Sequence, residues 1–193
     1  MYKRINGLQH IGVAVSDMDA SLKFYRRFFG LDIPFFDSVQ PAPLMRVYTR
    51  EETITKRASM VMNLQGGCAI EVISPTSFKP ITANQVIQVG DLGIFITQVK
   101  CKSIDIAHSF CVQEGVNGLT DIAMDPLGRK TFYLQDPQGN YWQYLESDEW
   151  YTSGKHFSGG VIGCSVGVSN VNDAKKLYAD VLGFDQVVYD RTD

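Results

Sequence analysis

The chain is poor in the residues that cross-link, span membranes or grip nucleic acid. It has 4 cysteines, Cys68, Cys101, Cys111 and Cys164, and no two of them are spaced C-x-x-C. That argues against a disulfide frame or a cysteine metal site, and for buried reduced thiols in a cytoplasmic protein. No apolar run approaches the ~20 residues that a membrane-spanning helix needs. The first residues lack the charged, then apolar, then small-residue order of a signal peptide. Charge of one sign is also scarce. Against 18 Lys and Arg stand 21 Asp and Glu, a net charge of -3 with no dense basic run. No nucleic-acid partner is expected of such a surface. Of 3 histidines, only His10 lies in an apolar run, and His108 and His156 are expected at the surface. What remains is ordinary globular material, 45% hydrophobic and 20% charged, enough for a core.

Leu8 to Val15 is a dense apolar run that reads as a buried strand. Ser16 or Asp17 caps the helix that follows, because a short oxygen side chain accepts a free first-turn N–H. Leu22, Tyr25, Phe28 and Phe29 recur at helical spacing, and Gly30 ends the helix in a left-handed cap. Strands are expected at Leu31 to Phe36, Met45 to Arg50 and Ser59 to Leu64. After a Gly66-Gly67 hairpin comes Cys68 to Ser74, an apolar strand carrying Glu71. The order is β-α-β-β-β. A second unit follows, with a strand at Asp91 to Val99, a helix at Ser103 to Glu114, and strands at Thr131 to Gln135 and Tyr141 to Glu146 around a DPQGN turn. A third opens at Val161 and stops at Asp193, after one strand, one helix and the start of another strand.

The three units are copies of one element. Gly12 aligns with Ser165, which sets Tyr25 against Tyr178 and Gly30 against Gly183. Pairing Gly12 with Gly93 aligns the second unit and sets His10 against Asp91. The expected organisation is a domain at 1–148 (modules about 5–80 and 88–148), a linker at 149–160, and the truncated start of a similar domain at 161–193. Repeat units bury their faces against one another, so a longer protein of roughly 300 residues is the simplest extrapolation. An unfinished unit exposes apolar surface, and residues 161–193 are expected to be disordered, swapped onto another chain, or packed on the first domain.

HIGVAVSDMDASLKFYRRFFGLDI, then AIEVISPTS, then FYLQDPQGNYWQYLE, resemble the vicinal oxygen chelate superfamily. That superfamily includes glyoxalase I, methylmalonyl-CoA epimerase, extradiol dioxygenases, and the fosfomycin and bleomycin resistance proteins. The resemblance implies an α+β fold in which paired β-α-β-β-β modules form an open barrel-like cleft. It also implies a divalent metal, held by the first and last strands of each module, that chelates two neighbouring oxygens of a small molecule. Carried over residue by residue, it places His10 at the first-strand histidine and Glu71 at the fourth-strand carboxylate. Asp91 stands where most members have a second histidine, and Gln143 where the glutamate of a DPxGNxxE pattern is usual. Glu146 is three residues on and, by strand alternation, faces away from Gln143.

His10, Glu71, Asp91 and Gln143 would give an ion one nitrogen and three oxygens, a hard set suited to Zn, Mn, Mg or Fe. Glu71 is the catalytic candidate, a base beside a carbonyl whose enolate the metal stabilises. Each residue also has a plain structural role open to it. His10 can be a hydrogen-bonded core residue, Glu71 can pair with Arg46 or Arg129, Asp91 can open a strand, and Gln143 can simply hydrogen-bond. Tyr133, Tyr141, Trp142 and Tyr144 are expected in the core or lining the cleft. Three functions are in view. The first is a metal-dependent lyase or isomerase of the glyoxalase kind. The second is a metal-free small-molecule-binding protein of the resistance type. The third is an extradiol-type dioxygenase, against which Asp91 and Gly163 count. The resemblance further implies a homodimer, or pairing with a second domain.

Overall fold

The computed structural model describes residue 5 and residues 7–81 and 86–191. It shows two mixed sheets with helices on one face of each, an open α+β arrangement without a closed barrel. The first sheet has the order β1-β4-β3-β2, from β1 (His10–Ala14), β2 (Ile33–Ala42), β3 (Ile54–Met62) and β4 (Ala69–Pro75). The second has the order β6-β7-β8-β5-β9, from β5 (Gly93–Cys101), β6 (Ala123–Met124), β7 (Lys130–Gln135), β8 (Tyr141–Glu146) and β9 (Ser158–Gly167). In both, the first strand of the unit lies parallel to its last, β1 beside β4 and β5 beside β8. No helix among the described residues is long and apolar enough to cross a membrane.

Capping sets the helices. Asp17 accepts the Ala20 N–H at 2.9 Å at the start of α1 (Met18–Phe29), and Gly30 ends it at φ 62°. Ser103 and Gly115 do the same for α2 (Ile104–Glu114), and Asn170 caps the short α3 (Val171–Lys175). Ser16 is instead held by Gln138, whose Oε1 accepts from both its N–H and its hydroxyl. The buried stripe of α1 reaches beyond its own unit. Phe29 lies 4.6 Å from the Trp142 ring, and Tyr25 donates to Asp136 at 2.7 Å. The Tyr144 hydroxyl donates to the Phe28 carbonyl at 2.6 Å. Trp142 and Tyr144 are core residues, while Tyr133 and Tyr141 lie half-buried on the opposite face of the second sheet.

Three strand expectations shift. The strand expected to end at Phe36 runs on as β2 through Val39 and Pro41 to Ala42, which an edge strand permits because a proline there need not donate to a neighbour. Pro43–Tyr48 is a 3-10 turn, not a strand, and the charged segment before Ser59 is already β3. β9 begins at Ser158, inside the segment expected as a linker, and runs into the third unit. β9 runs antiparallel to β5, and Cys68 bridges Val161 to join the two sheets. That junction needs glycine, since a Cβ on Gly67 would sit 2.5 Å from the Gly160 carbonyl carbon.

Candidate functional site

The register of β1 on β4 places Gly12 beside Glu71, so His10 and Glu71 fall on one face of the first sheet. His10 Nε2 lies 3.5 Å from Glu71 Oε2, with the two side chains 31% and 21% exposed. His10 Nδ1 is 2.8 Å from Gln9 Oε1. An amide oxygen only accepts, so Nδ1 carries the proton and Nε2 faces the carboxylate. Neither arginine considered as a partner for Glu71 is engaged with it. Arg46 pairs with Glu51 at 3.7 Å and Arg129 with Asp125 at 2.8 Å.

The other two expected ligands lie elsewhere. Gln143, on β8, is 94% buried and donates to Thr131 Oγ1 at 3.0 Å and to the Tyr133 hydroxyl at 3.1 Å. It accepts from Gln98 Nε2 at 2.9 Å. Gln98 was not anticipated from sequence, and it completes a neutral polar cluster on the second sheet. Asp91 precedes β5, is exposed, and accepts the Gln88 N–H at 2.8 Å. Among the described residues no three His, Cys, Asp or Glu side chains converge. The helix caps also revise the alignment of the repeats. Asp17 corresponds to Ser103, and Gly12 and Gln98 both face a last-strand residue, Glu71 and Gln143. The counterpart of His10 in the second unit is therefore Ile96, not Asp91, and in the third it is Gly163. Matching Gly12 to Gly93 misled because the two glycines do different work. Only Gly93 has a positive φ, 109°.

The remaining expectations resolve simply. Glu146 is exposed and accepts the first N–H of α2, Ile104 N, at 3.0 Å. His108 is half-buried rather than at the surface, with its ring against Phe132 and 3.0 Å from the Thr120 carbonyl. His156 is half-buried rather than at the surface, because its segment folds back onto the end of α1, where its ring reaches the Arg27 carbonyl at 3.1 Å. A cavity of about 980 Å³ opens next to this part of the first sheet, lined by neighbours of His10 and Glu71 rather than by the two residues themselves. Its lining includes Gln9, Ala69 and Met60, the neighbours of the pair along and across the strands.

The topology of the two sheets defines a class of fold, and the sequence agrees with it. The model of the Glyoxalase/Bleomycin resistance protein/Dioxygenase superfamily matches residues 7–144, and the chain belongs to that superfamily. Solved structures show the same fold at low identity. A glyoxalase family protein from Bacillus cereus is 14% identical, with a TM-score of 0.61 over 75% of this chain and 95% of that one. A glyoxalase I variant from Zea mays is 14% identical, with a TM-score of 0.60 over 90% of this chain but 54% of its own. A glyoxalase family protein from Enterococcus faecalis is 17% identical, with a TM-score of 0.51 over 73% of this chain and 98% of that one. Comparison with curated proteins gives no match.

Proposed function

We propose that the chain is a divalent-metal-dependent lyase or isomerase acting on a small molecule with vicinal oxygens, with its reacting centre at His10 and Glu71. The observation that carries this reading is the 3.5 Å approach of His10 Nε2 to the Glu71 carboxylate beside an open cavity. One imidazole nitrogen with its proton fixed on the far side, and one carboxylate, fit two positions of a divalent ion's shell, with Zn, Mn, Mg or Fe as candidates. A metal bound there would polarise the substrate's two oxygens. Glu71 takes the proton from the carbon beside the carbonyl and returns it to the neighbouring carbon or to the same one. Gln9 holds the His10 ring in place through Nδ1. Two donors do not complete a shell. Among the described residues β1 pairs on one side only, and the rest enters at its open edge, from a second copy of the chain or a further repeat. The within-chain precedent is β5, whose corresponding edge takes β9.

Solvent-deuterium exchange tests the proton transfer. With hydroxy-ketone, acyl-thioester and hemithioacetal substrates (the last an α-ketoaldehyde plus a thiol) and added metal, the protein exchanges the proton beside the carbonyl. Glu71→Gln lowers that rate by about 10²-fold or more. Equal rates in the two proteins would refute the role of Glu71. A second reading, a metal-free binding protein, has its own support, because Ile96, Gly163 and Gln143 leave the second sheet without a charged donor set. The same positions count against an extradiol dioxygenase.

A further inference from the structure

The cavity beside the His10–Glu71 pair contains a buried cation without an anion in contact. Lys100, on β5, is 5% exposed. Its stem runs between Gly159 and Trp150, so close that a Cβ on Gly159 would lie 2.8 Å from Lys100 Cε. Nζ sits 4.6 Å from the centre of the Trp150 ring and donates to the Glu149 carbonyl. Lys100 takes part in none of the ion pairs among the described residues. Asp148 and Glu149 line the same cavity, but both are exposed, where water weakens their pull on Nζ. An ammonium has three N–H donors. One reaches the carbonyl and one side rests on the indole face, which leaves donor capacity for the cavity. A buried charge left without a partner is costly, and a ligand anion would remove that cost. Burial also draws the Lys100 pKa below the usual lysine value, and Glu149 partly opposes this.

The rest of the lining speaks for the body of the ligand. Leu8, Met60, Met62, Val161 and Ile162 give apolar walls, with Trp150 as a flat one. Methionine adapts to varied shapes. About 980 Å³ lies at the upper end of the roughly 300–1,000 Å³ that organic ligands occupy, far more than a three-carbon substrate fills. We propose that this cavity binds a small organic molecule with a flat apolar body and one carboxylate, and that Lys100 receives the carboxylate. The proposal rests on the cavity and Lys100, and stands whether or not His10 and Glu71 hold a metal.

The test is equilibrium binding of 2-naphthoate and of its neutral analogue 2-naphthylmethanol, with a chelator present so that no metal contributes. The unmodified chain binds the carboxylate about tenfold more tightly than the alcohol, the worth of one charge-assisted hydrogen bond. Lys100→Met removes that advantage and keeps binding of the alcohol. Equal affinities in the unmodified chain, no measurable binding of either probe, or an advantage that survives in folded Lys100→Met would each overturn the proposal. Should that variant fail to fold, NMR of the unmutated chain labelled with lysine carrying ¹³C at Cε decides. The Lys100 signal, set apart by the Trp150 ring, moves with naphthoate and not with the alcohol. A signal that neither probe moves overturns the proposal.

Discussion

Single side chains divide here between holding the units together and staying available for chemistry. Tyr25 and Asp136 belong to the first kind. The phenol donates at 2.7 Å to a carboxylate that also receives Trp142 Nε1 at 3.2 Å and Asn140 Nδ2 at 2.9 Å. Burial, then Asp136, pushes the Tyr25 pKa far upward, so the hydroxyl stays a donor at any ordinary pH. Tyr25→Phe leaves a buried carboxylate short of a donor, and urea unfolding should show a loss of about 1–3 kcal/mol. The thiols carry a second prediction. Burial pushes Cys101 and Cys111 up to about 12, while Cys68 and Cys164 are half-buried and raised less. A raised thiol pKa means less thiolate, about one part in ten thousand at pH 8 for the first two. An aromatic disulfide reagent at pH 8 should label Cys68 and Cys164 in the folded chain, and Cys101 and Cys111 only once it unfolds. Mass mapping of the labelled peptides gives the order. The burial expected from sequence is complete for Cys101 and Cys111, because Cys101 on β5 and Cys111 on α2 both face the core between that helix and its sheet.

At the scale of elements, the sheet junction is the sensitive place. Gly67 has φ 97°, and a Cβ on Gly160 would stand 2.6 Å from the Cys68 carbonyl. Gly160→Ala must part Cys68 from Val161, and a loss of about 2–3 kcal/mol in thermal or urea unfolding follows. Unchanged stability would mean that the two sheets do not meet as described. The helices were legible in sequence because their signals are local. A cap oxygen, an apolar stripe and a terminal glycine all lie within one segment, and Asp17, Tyr25 and Gly30 fall where they were expected. Register was not legible in the second unit. It depends on which residue of β5 faces Gln143, a contact across 45 residues of chain, and glycine identity was a poor guide to it. His10 and Glu71 were singled out by the resemblance and came onto one face only with the register of β1 on β4, and Gln98, which no motif marks, emerged only once the strands were paired.

At the scale of the whole molecule, one face of the described residues is apolar and exposed. In the third copy the short α3 runs on into a π-helical stretch, Lys176–Val181, and the apolar stripe of this segment is uncovered. Tyr25 is fully buried, while its counterpart Tyr178 is 38% exposed, and Val181 and Phe184 are 67% and 53% exposed. An apolar cavity of about 500 Å³ lies between this helical segment and β9. Such a surface drives association. Sedimentation velocity should show mass rising with concentration. The double variant Val181→Lys, Phe184→Lys should reduce that rise while changing stability by no more than about 0.5 kcal/mol. The central claim is that His10 and Glu71 form the metal-binding part of the first sheet, and elemental analysis of protein purified without chelators tests it most directly. About half an equivalent or more of a divalent ion per chain is predicted, the lower figure being one ion shared by two copies, with nearly all of it lost in His10→Ala. No metal in the unmodified chain, or the same metal content in His10→Ala, would contradict the account and favour the metal-free reading.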